Sequence, residues 1–374
     1  MTFSASPQKV LEWLAKDALP LWSIQGFDHR FGCFHENLSR VGIPLSSPRR
    51  VMVQARQIYA FAEASRLQLI TKAEAQKFTD PAADYMVEKY SLPSGAFRHS
   101  VDENGLAAVN EPDLYAQAFA LFGLAQAYEL SGTKTLRERA HSALRYLQKE
   151  RRAPGGGYTE LASGQITMAA NPHMHLLEAA LAWVRVDADR VWRDLVTELF
   201  ELCMTRFIDA ETGALCEHFT EGWKPRRENG LFVFEPGHHF EWAWLLWQTK
   251  RALGLDAGTA LRKLFDVAEQ SGVDAQTGLA WDEVWSNGQI KRASSRFWPQ
   301  GERVKAAVVL GEAQIADQAM TSLFRFLNRP APGLWEDTLA ADGTFKEQPV
   351  KASSFYHIIN AIAEYVAYRP TLKS

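Results

Sequence analysis

Along the chain, stretches in which apolar residues recur at i, i+3 and i+4 alternate with short glycine-containing stretches that lack this period. The first pattern is that of helices with one buried face. The earliest helix is expected to begin at Pro7, with Ser6 as its N-cap and the proline at the first helical position ahead of VLEWLAKDAL. Eleven more are expected near 49–69, 71–90, 112–131, 134–150, 171–187, 188–207, 238–253, 256–271, 298–313, 315–328 and 352–367. The intervening stretches read GCFHENLSRVG at Gly32, SGAFRHSVDENG at Gly95, GGGYTELASGQ at Gly155, TGALCEHFTEG at Gly213, TGLAWDEVWSNGQ at Gly278 and PGLWEDTLAADGTF at Gly333. They return about every sixty residues, the mark of a repeat architecture.

Twelve helices alternating with six hairpin-like excursions predict an all-α fold, an (α/α)6 barrel with six inner and six outer helices. No Pro-, Gly- or Ser-rich linker divides the chain, so residues 1–374 are expected to form a single catalytic domain rather than two helical bundles. Each excursion precedes an even-numbered helix, so the even helices all start at one end of the barrel. Their starts are QARQ at Gln54, DLYAQ at Asp113, NPHMHLLE at Asn171, GHHFEW at Gly237, FWPQGE at Phe297 and SSFYH at Ser353. These are the segments densest in His, Arg, carboxylate and aromatic groups. They would converge on one axial pocket, where free helix N–H groups and positive dipole ends suit hydroxyls and developing oxyanions.

Three histidines stand at these starts: His175, His238 and His357. Imidazole titrates near neutral pH and can take a proton and return it within one turnover. Glu178 follows His175 by three residues and Glu241 follows His238 by three, so each carboxylate is expected to share a helix face with its histidine and to orient the ring or hold a hydroxyl.

Composition excludes several alternatives. A net charge of -3 with scattered Lys and Arg gives no basic field, so nucleic acid is not an expected partner. Cys33, Cys203 and Cys216 are too few and too irregular for a disulfide framework and read as buried thiols. The amino-terminal residues lack a signal pattern and no run reaches the ~20 apolar residues of a membrane span, so a soluble cytoplasmic enzyme is expected. No Gly-x-Gly-x-x-Gly opens a helix and no phosphate-binding Gly-x-x-x-x-Gly-Lys-Ser/Thr loop occurs, so no nucleotide cofactor is expected. His173 and His175 are two apart and His238 and His239 are adjacent, neither with the i, i+4 spacing of a helical chelate, so no metal is expected. Aromatic residues make up 11% of the chain, which suits stacking on sugar faces, although the same rings fill cores.

NPHMHLLEA, GHHFEW, WPQGE and the late Tyr-His pair together resemble the N-acylglucosamine 2-epimerase family, over nearly the whole chain. The resemblance implies an (α/α)6 barrel and cofactor-free removal of a proton from carbon 2 of an opened sugar to give a cis-enediol. By position, His357 and His238 match the acid/base pair, and His175 with Glu178 matches the groups assisting ring opening or holding O1. Arg56 matches the arginine that bonds sugar oxygens. Tyr115, Asn171, Glu241, Trp298 and Glu302 match substrate-contacting or supporting positions. Cellobiose 2-epimerases carry a tryptophan ahead of the last histidine, where this chain has Ala352, Ser353 and Ser354, so a disaccharide is less expected. Gln117 stands where many relatives have histidine. The stretches VQARQIYAFAEA and ASSFYHI look more like the mannose isomerases, which implies D-mannose to D-fructose interconversion; the expected assembly is a monomer or a homodimer, with the sequence leaving the choice open. Beyond Arg49, Arg50 and Arg56, no Lys or Arg cluster marks the inner-helix starts, so a free sugar is expected. The alternatives are a 2-epimerase of a free hexose or N-acylhexosamine, a glycoside hydrolase using Glu241 and Asp282, and a catalytically silent sugar-binding protein.

Overall fold

The computed structural model describes residues 6–162 and 165–368. Twelve helices run through them. The first, α1, passes from Pro7–Trp13 through a π turn at Leu14–Ala18 into Leu19–Ile24. Pro20 has no N–H to offer the carbonyl four residues back, and the π turn lies where that bond is missing. The others are α2 (Val51–Arg66), α3 (Lys72–Tyr90), α4 (Leu114–Ser131), α5 (Lys134–Glu150), α6 (Ala170–Val186), α7 (Arg190–Leu202), α8 (Pro236–Leu253), α9 (Ala260–Gly272), α10 (Trp298–Leu310), α11 (Ala313–Phe324) and α12 (Phe355–Tyr368). Each even helix packs against the even helices before and after it, and α12 closes on α2, so six inner helices form a complete ring. The odd helices pack outside them. This is the (α/α)6 barrel that the periodicity predicts.

The two layers bury differently. In outer α5 only Leu136, Ala140, Ala143, Leu144 and Leu147 are buried, one stripe at helical spacing. In inner α4 every residue from Ala116 to Ala127 is buried. The inner helices are therefore hydrophobic on all sides except where polar groups cluster at their starts. Close approach of two of them depends on Gly123 in α4, where an added Cβ would sit 2.7 Å from both Cα and Cβ of Ala55 in α2. Much of the aromatic content goes into this packing. Trp183 stacks on Trp192 at 5.0 Å between α6 and α7, and Trp22 stacks on Trp335 at 4.8 Å.

The excursions are not isolated hairpins: among the described residues, at five of the six junctions the end of one pairs with the start of the next. Arg49 and Arg50 lie opposite Val101 and Ser100, Met168 and Ala169 opposite Phe219 and His218, and Val233 and Phe234 opposite Trp285 and Val284. Ser295 and Arg296 pair with Leu339 and Thr338, and Val350 and Lys351 return to Leu38 and Asn37 of the first excursion. The result is a crown of short antiparallel ladders over the starts of the inner helices. Among the described residues no helix is long and apolar enough to cross a membrane.

Gly123→Ala is expected to lower stability by about 1–3 kcal/mol through overpacking against Ala55, where the same change in an open helix would raise it by up to about 1 kcal/mol. Urea denaturation followed by circular dichroism gives the sign directly; an unchanged or raised midpoint would contradict the close α2–α4 contact.

Candidate active site

The crown leaves a cavity of about 320 Å³ on the barrel axis. His175, His238 and His357 all line it, with Arg56, Tyr115, Asn171, Glu241 and Trp298. Segments as far apart in sequence as α2 and α12 thus meet around one hollow. Two of the proposed contact residues, Glu178 and Glu302, are not on its wall. Both are buried beneath it: Glu178 accepts from the Tyr356 hydroxyl at 2.5 Å, and Glu302 lies 2.8 Å from Nδ1 of His357.

The carboxylates that meet the histidines match the expected ones only in part. The i+3 spacing predicts Glu241 on His238 and Glu178 on His175. His238 instead turns Nδ1 to Glu217 of the fourth excursion at 2.8 Å, while Glu241 faces His175 across 3.8 Å. Glu178 stands 3.7 Å from the same His175 nitrogen, and neither distance is a hydrogen bond. Helical spacing brings residues to one face but does not decide which ring edge points where. A crown carboxylate that comes in from outside the helix reaches Nδ1 better than one a turn below.

Glu217 has equivalents all around the crown. The residue four after the conserved-spacing glycine of each excursion is Glu36, His99, Glu160, Glu217, Asp282 or Asp337, counted from Gly32, Gly95, Gly156, Gly213, Gly278 and Gly333. Glu36 accepts from the N–H of Arg50 at 2.9 Å, Glu160 from Leu114 at 2.9 Å, Glu217 from Glu235 at 3.1 Å, and Asp282 from Arg296 at 3.0 Å. These side chains satisfy free N–H groups at or just ahead of inner-helix starts, as N-terminal capping requires. A second repeated contact lies two residues earlier. There the N–H groups of Phe34, Phe97, Tyr158, Leu215 and Ala280 donate to Gln54, Gln117, His173, His239 and Gln300 at 2.7–3.0 Å. Gln117 therefore fills a structural acceptor position equivalent to His173 and His239. Its amide also donates to the Phe97 carbonyl at 2.7 Å.

The three cavity histidines differ in charge. His238 is buried, which disfavours the imidazolium, but Glu217 and Glu235 outweigh this and raise its pKa to about 9. His175 is lowered to about 4, chiefly by burial, with Arg56 and His238 adding to the effect. His357 is pushed well below the usual imidazole value by burial and then by Arg56 and Lys305. With Nδ1 on the Glu302 carboxylate, neutral His357 carries its proton there and leaves Nε2 unprotonated. Trp298 packs against both rings, 5.2 Å from His238 and 5.6 Å from His357. Arg56 lies 4.3 Å over the Phe119 ring and donates to the Tyr115 hydroxyl at 2.9 Å.

The remaining cations lining the cavity are paired. Arg50 is bonded to Glu36 at 2.5 Å, Arg296 to Glu235 at 2.6 Å and Asp282 at 2.8 Å, and Lys351 to Asp337 at 2.9 Å. Asp282 is engaged this way and is not on the cavity wall, so it does not form a carboxylate pair with Glu241 across it. Among the described residues, three groups have donor atoms close enough to surround an ion: His175 with Glu178 and Glu241, Glu217 with Glu235 and His238, and Glu241 with Glu302 and His357. In each a protein cation is already close, Arg296 against Glu235 and Lys305 against Glu302 at 2.6 Å, with the Lys305 charge also felt at Glu178 and Glu241. Sequence reading missed Glu217, Glu235, Arg296, Lys351 and Lys305. The glycine-plus-four register was the signal available for Glu217.

His238 gains its proton more readily folded than unfolded. The stability this contributes is complete below the unfolded imidazole value of about 6.5 and is lost as pH rises through about 9. Glu217→Gln is expected to cost about 1.5–3 kcal/mol near neutral pH and to flatten the decline in stability between neutral pH and 9–10. Thermal denaturation of both proteins across that range tests this; parallel curves would contradict the His238–Glu217 charge pair.

Residues 32–361 match the sequence profile of N-acylglucosamine 2-epimerase (GlcNAc 2-epimerase). The chain is 37% identical over 368 residues to a protein of Rhizobium meliloti (strain 1021) named mannose-6-phosphate isomerase, covering 94% of each. Among solved structures, a D-mannose isomerase superposes with a TM-score of 0.86 at 19% identity, covering 98% of this chain and 99% of that one. The cellobiose 2-epimerase of Bacillus thermoamylovorans B4167 gives 0.85 at 18%, covering 96% and 98%. These likenesses carry the fold, and the sequence match extends through every inner helix that builds the cavity: the chain belongs to the N-acylglucosamine 2-epimerase family.

Proposed function

We propose that this chain is a sugar isomerase that interconverts D-mannose and D-fructose by histidine acid/base transfer through a cis-enediol. The observation that carries the reading is two histidines on one cavity wall, each with Nδ1 on a buried carboxylate and each packed against Trp298, with the surrounding charges favouring a proton on His238 and burial disfavouring one on His357. Neutral His357, with Nε2 free, is the base that takes the proton from C2 of the opened aldose. As that bond breaks, charge moves onto O1. Arg56 and the imidazolium of His238 are the donors that stabilise it there. The hydroxyl proton on O2 passes to O1, a transfer that neutral His175 can relay, and protonated His357 returns the C2 proton to C1 as C2 becomes the ketone carbonyl. His175 stays neutral and can accept from or donate to a sugar hydroxyl, and Tyr115, Asn171 and Glu241 supply further polar contacts along the wall.

The isomerase outcome is favoured by the 37% identical relative, whose name is an isomerase name. A second reading has its own support. His238 carries a proton and flanks Trp298, so it could deliver that proton to the opposite face of C2, which would give the 2-epimer. The Rhizobium relative's name also raises a phosphorylated mannose. The pairing of Arg50, Arg296 and Lys351 with carboxylates leaves little free positive charge for a phosphate and supports the unphosphorylated sugar. The cavity volume of about 320 Å³ is at the small end of ligand pockets, which run from about 300 to 1,000 Å³, and suits a monosaccharide.

Incubation with mannose and with mannose 6-phosphate, followed by chromatography, is expected to give fructose from the free sugar. Glucose with little ketose would establish the epimerase reading instead, and turnover confined to the phosphate ester would overturn the free-sugar assignment. His357→Asn is expected to lower kcat by about 10²–10⁴-fold while mannose binding is largely retained; undiminished turnover would remove His357 from the chemistry.

A further inference from the structure

Behind the cavity wall, fully buried, lies a lysine that the reaction scheme does not use. Lys305 sits one turn after Glu302 on α10, with its side chain fully buried. Its ammonium is 2.6 Å from Glu302 Oε2 and 3.9 Å from the centroid of the Trp244 ring on α8. The other oxygen of Glu302 holds Nδ1 of His357 at 2.8 Å. One carboxylate thus bridges a buried cation and the imidazole that faces the sugar. Charged and titratable groups reach this point from several inner helices: Glu178 and His175 from α6, Glu241 from α8, His357 and Tyr356 from α12, and Arg56 from α2.

We propose that Lys305 is a positioning residue for the base: its ammonium holds Glu302 as a carboxylate, and that carboxylate holds the proton of His357 on Nδ1, leaving Nε2 free toward C2. The inference rests on the assignment of His357 as the base. Burial alone favours protonated glutamic acid at position 302, and the raised pKa there reflects that pressure, which Lys305 opposes. Burial also works against an ammonium, yet Glu302, Glu241 and Glu178 keep Lys305 charged. Without the cation Glu302 takes up one proton from solvent. As a neutral acid it donates that hydrogen to Nδ1, and the ring carries its own proton on Nε2, the position that must be empty to accept from carbon. A cation at 305 is therefore required for the reactive tautomer, although it never touches the sugar. The Trp244 face adds cation–π stabilisation that an uncharged side chain would not draw on.

Histidine-labelled wild type, Lys305→Met, Lys305→Gln and Lys305→Arg, examined by nitrogen NMR alongside steady-state kinetics on mannose, test this. The Met and Gln variants are expected to move the His357 proton from Nδ1 to Nε2. They should also lose about 10²–10⁴-fold in kcat, the range for a misplaced catalytic tautomer, with KM changed only severalfold. The Arg variant is expected to restore much of the rate and the Nδ1 proton. A folded Met or Gln variant with unchanged kcat and an Nδ1 proton would overturn the proposal. If neither variant folds, the wild-type spectrum decides: a proton on Nε2 of His357 at neutral pH would overturn it. Tautomers that respond as expected in a protein inactive on every hexose would instead fault the isomerase reading and leave Lys305's role standing.

Discussion

The structure turns on one constraint. Six inner helices that are buried along most of their length all begin at the same end of the ring, and their first N–H groups need acceptors there. At four of the six, α2, α4, α8 and α10, the crown supplies a side chain from one fixed place in an excursion to an N–H at or just ahead of the start: Glu36, Glu160, Glu217 and Asp282. Because those acceptors are mostly carboxylates, the capping of the barrel and the electrostatics of its cavity are one arrangement. Glu217 is the clearest case. It accepts from the backbone N–H of Glu235 and, through its other oxygen, meets the imidazole of His238.

From that arrangement follows the division of labour among histidines. His238 and His357 are equally buried and both meet a carboxylate through Nδ1, yet they differ in charge because of what lies behind that carboxylate. Behind His238 stand two acids, Glu217 and Glu235, and the ring is held as a cation. Behind His357 the acid Glu302 is already neutralised by Lys305, and Arg56 adds further positive charge, so the ring stays neutral. Environments that push two titratable groups apart are how acid and base roles are assigned within one site. The same logic explains why His173 and His239, one or two residues from the cavity histidines, take no such part. Both are buried as acceptors for hairpin N–H groups and are held neutral.

Much of this was readable in the sequence, and what was not has identifiable reasons. The helix boundaries, the sixty-residue recurrence and the common end of the even helices follow from hydrophobic period and glycine placement, which are local properties. The meeting of His175, His238, Arg56 and His357 follows from that common end. The partner of each histidine does not, because it depends on ring orientation and on a strand arriving from another repeat. Thus Glu241, which spacing pairs with His238, faces His175, and Glu178 stands beside His175 as spacing predicts but takes its hydrogen bond from Tyr356. Lys305 was invisible for another reason. Within WPQGERVKAAVVL it reads as the polar face of an amphipathic helix, and only closure of the ring on all sides makes that position interior.

The split in histidine charge is the claim from which the proposed chemistry is drawn. Nitrogen NMR of the histidine-labelled protein at neutral pH reads it without any substrate. The account requires His238 protonated on both ring nitrogens and His357 neutral with its proton on Nδ1; two neutral rings, or a charged His357, would contradict it.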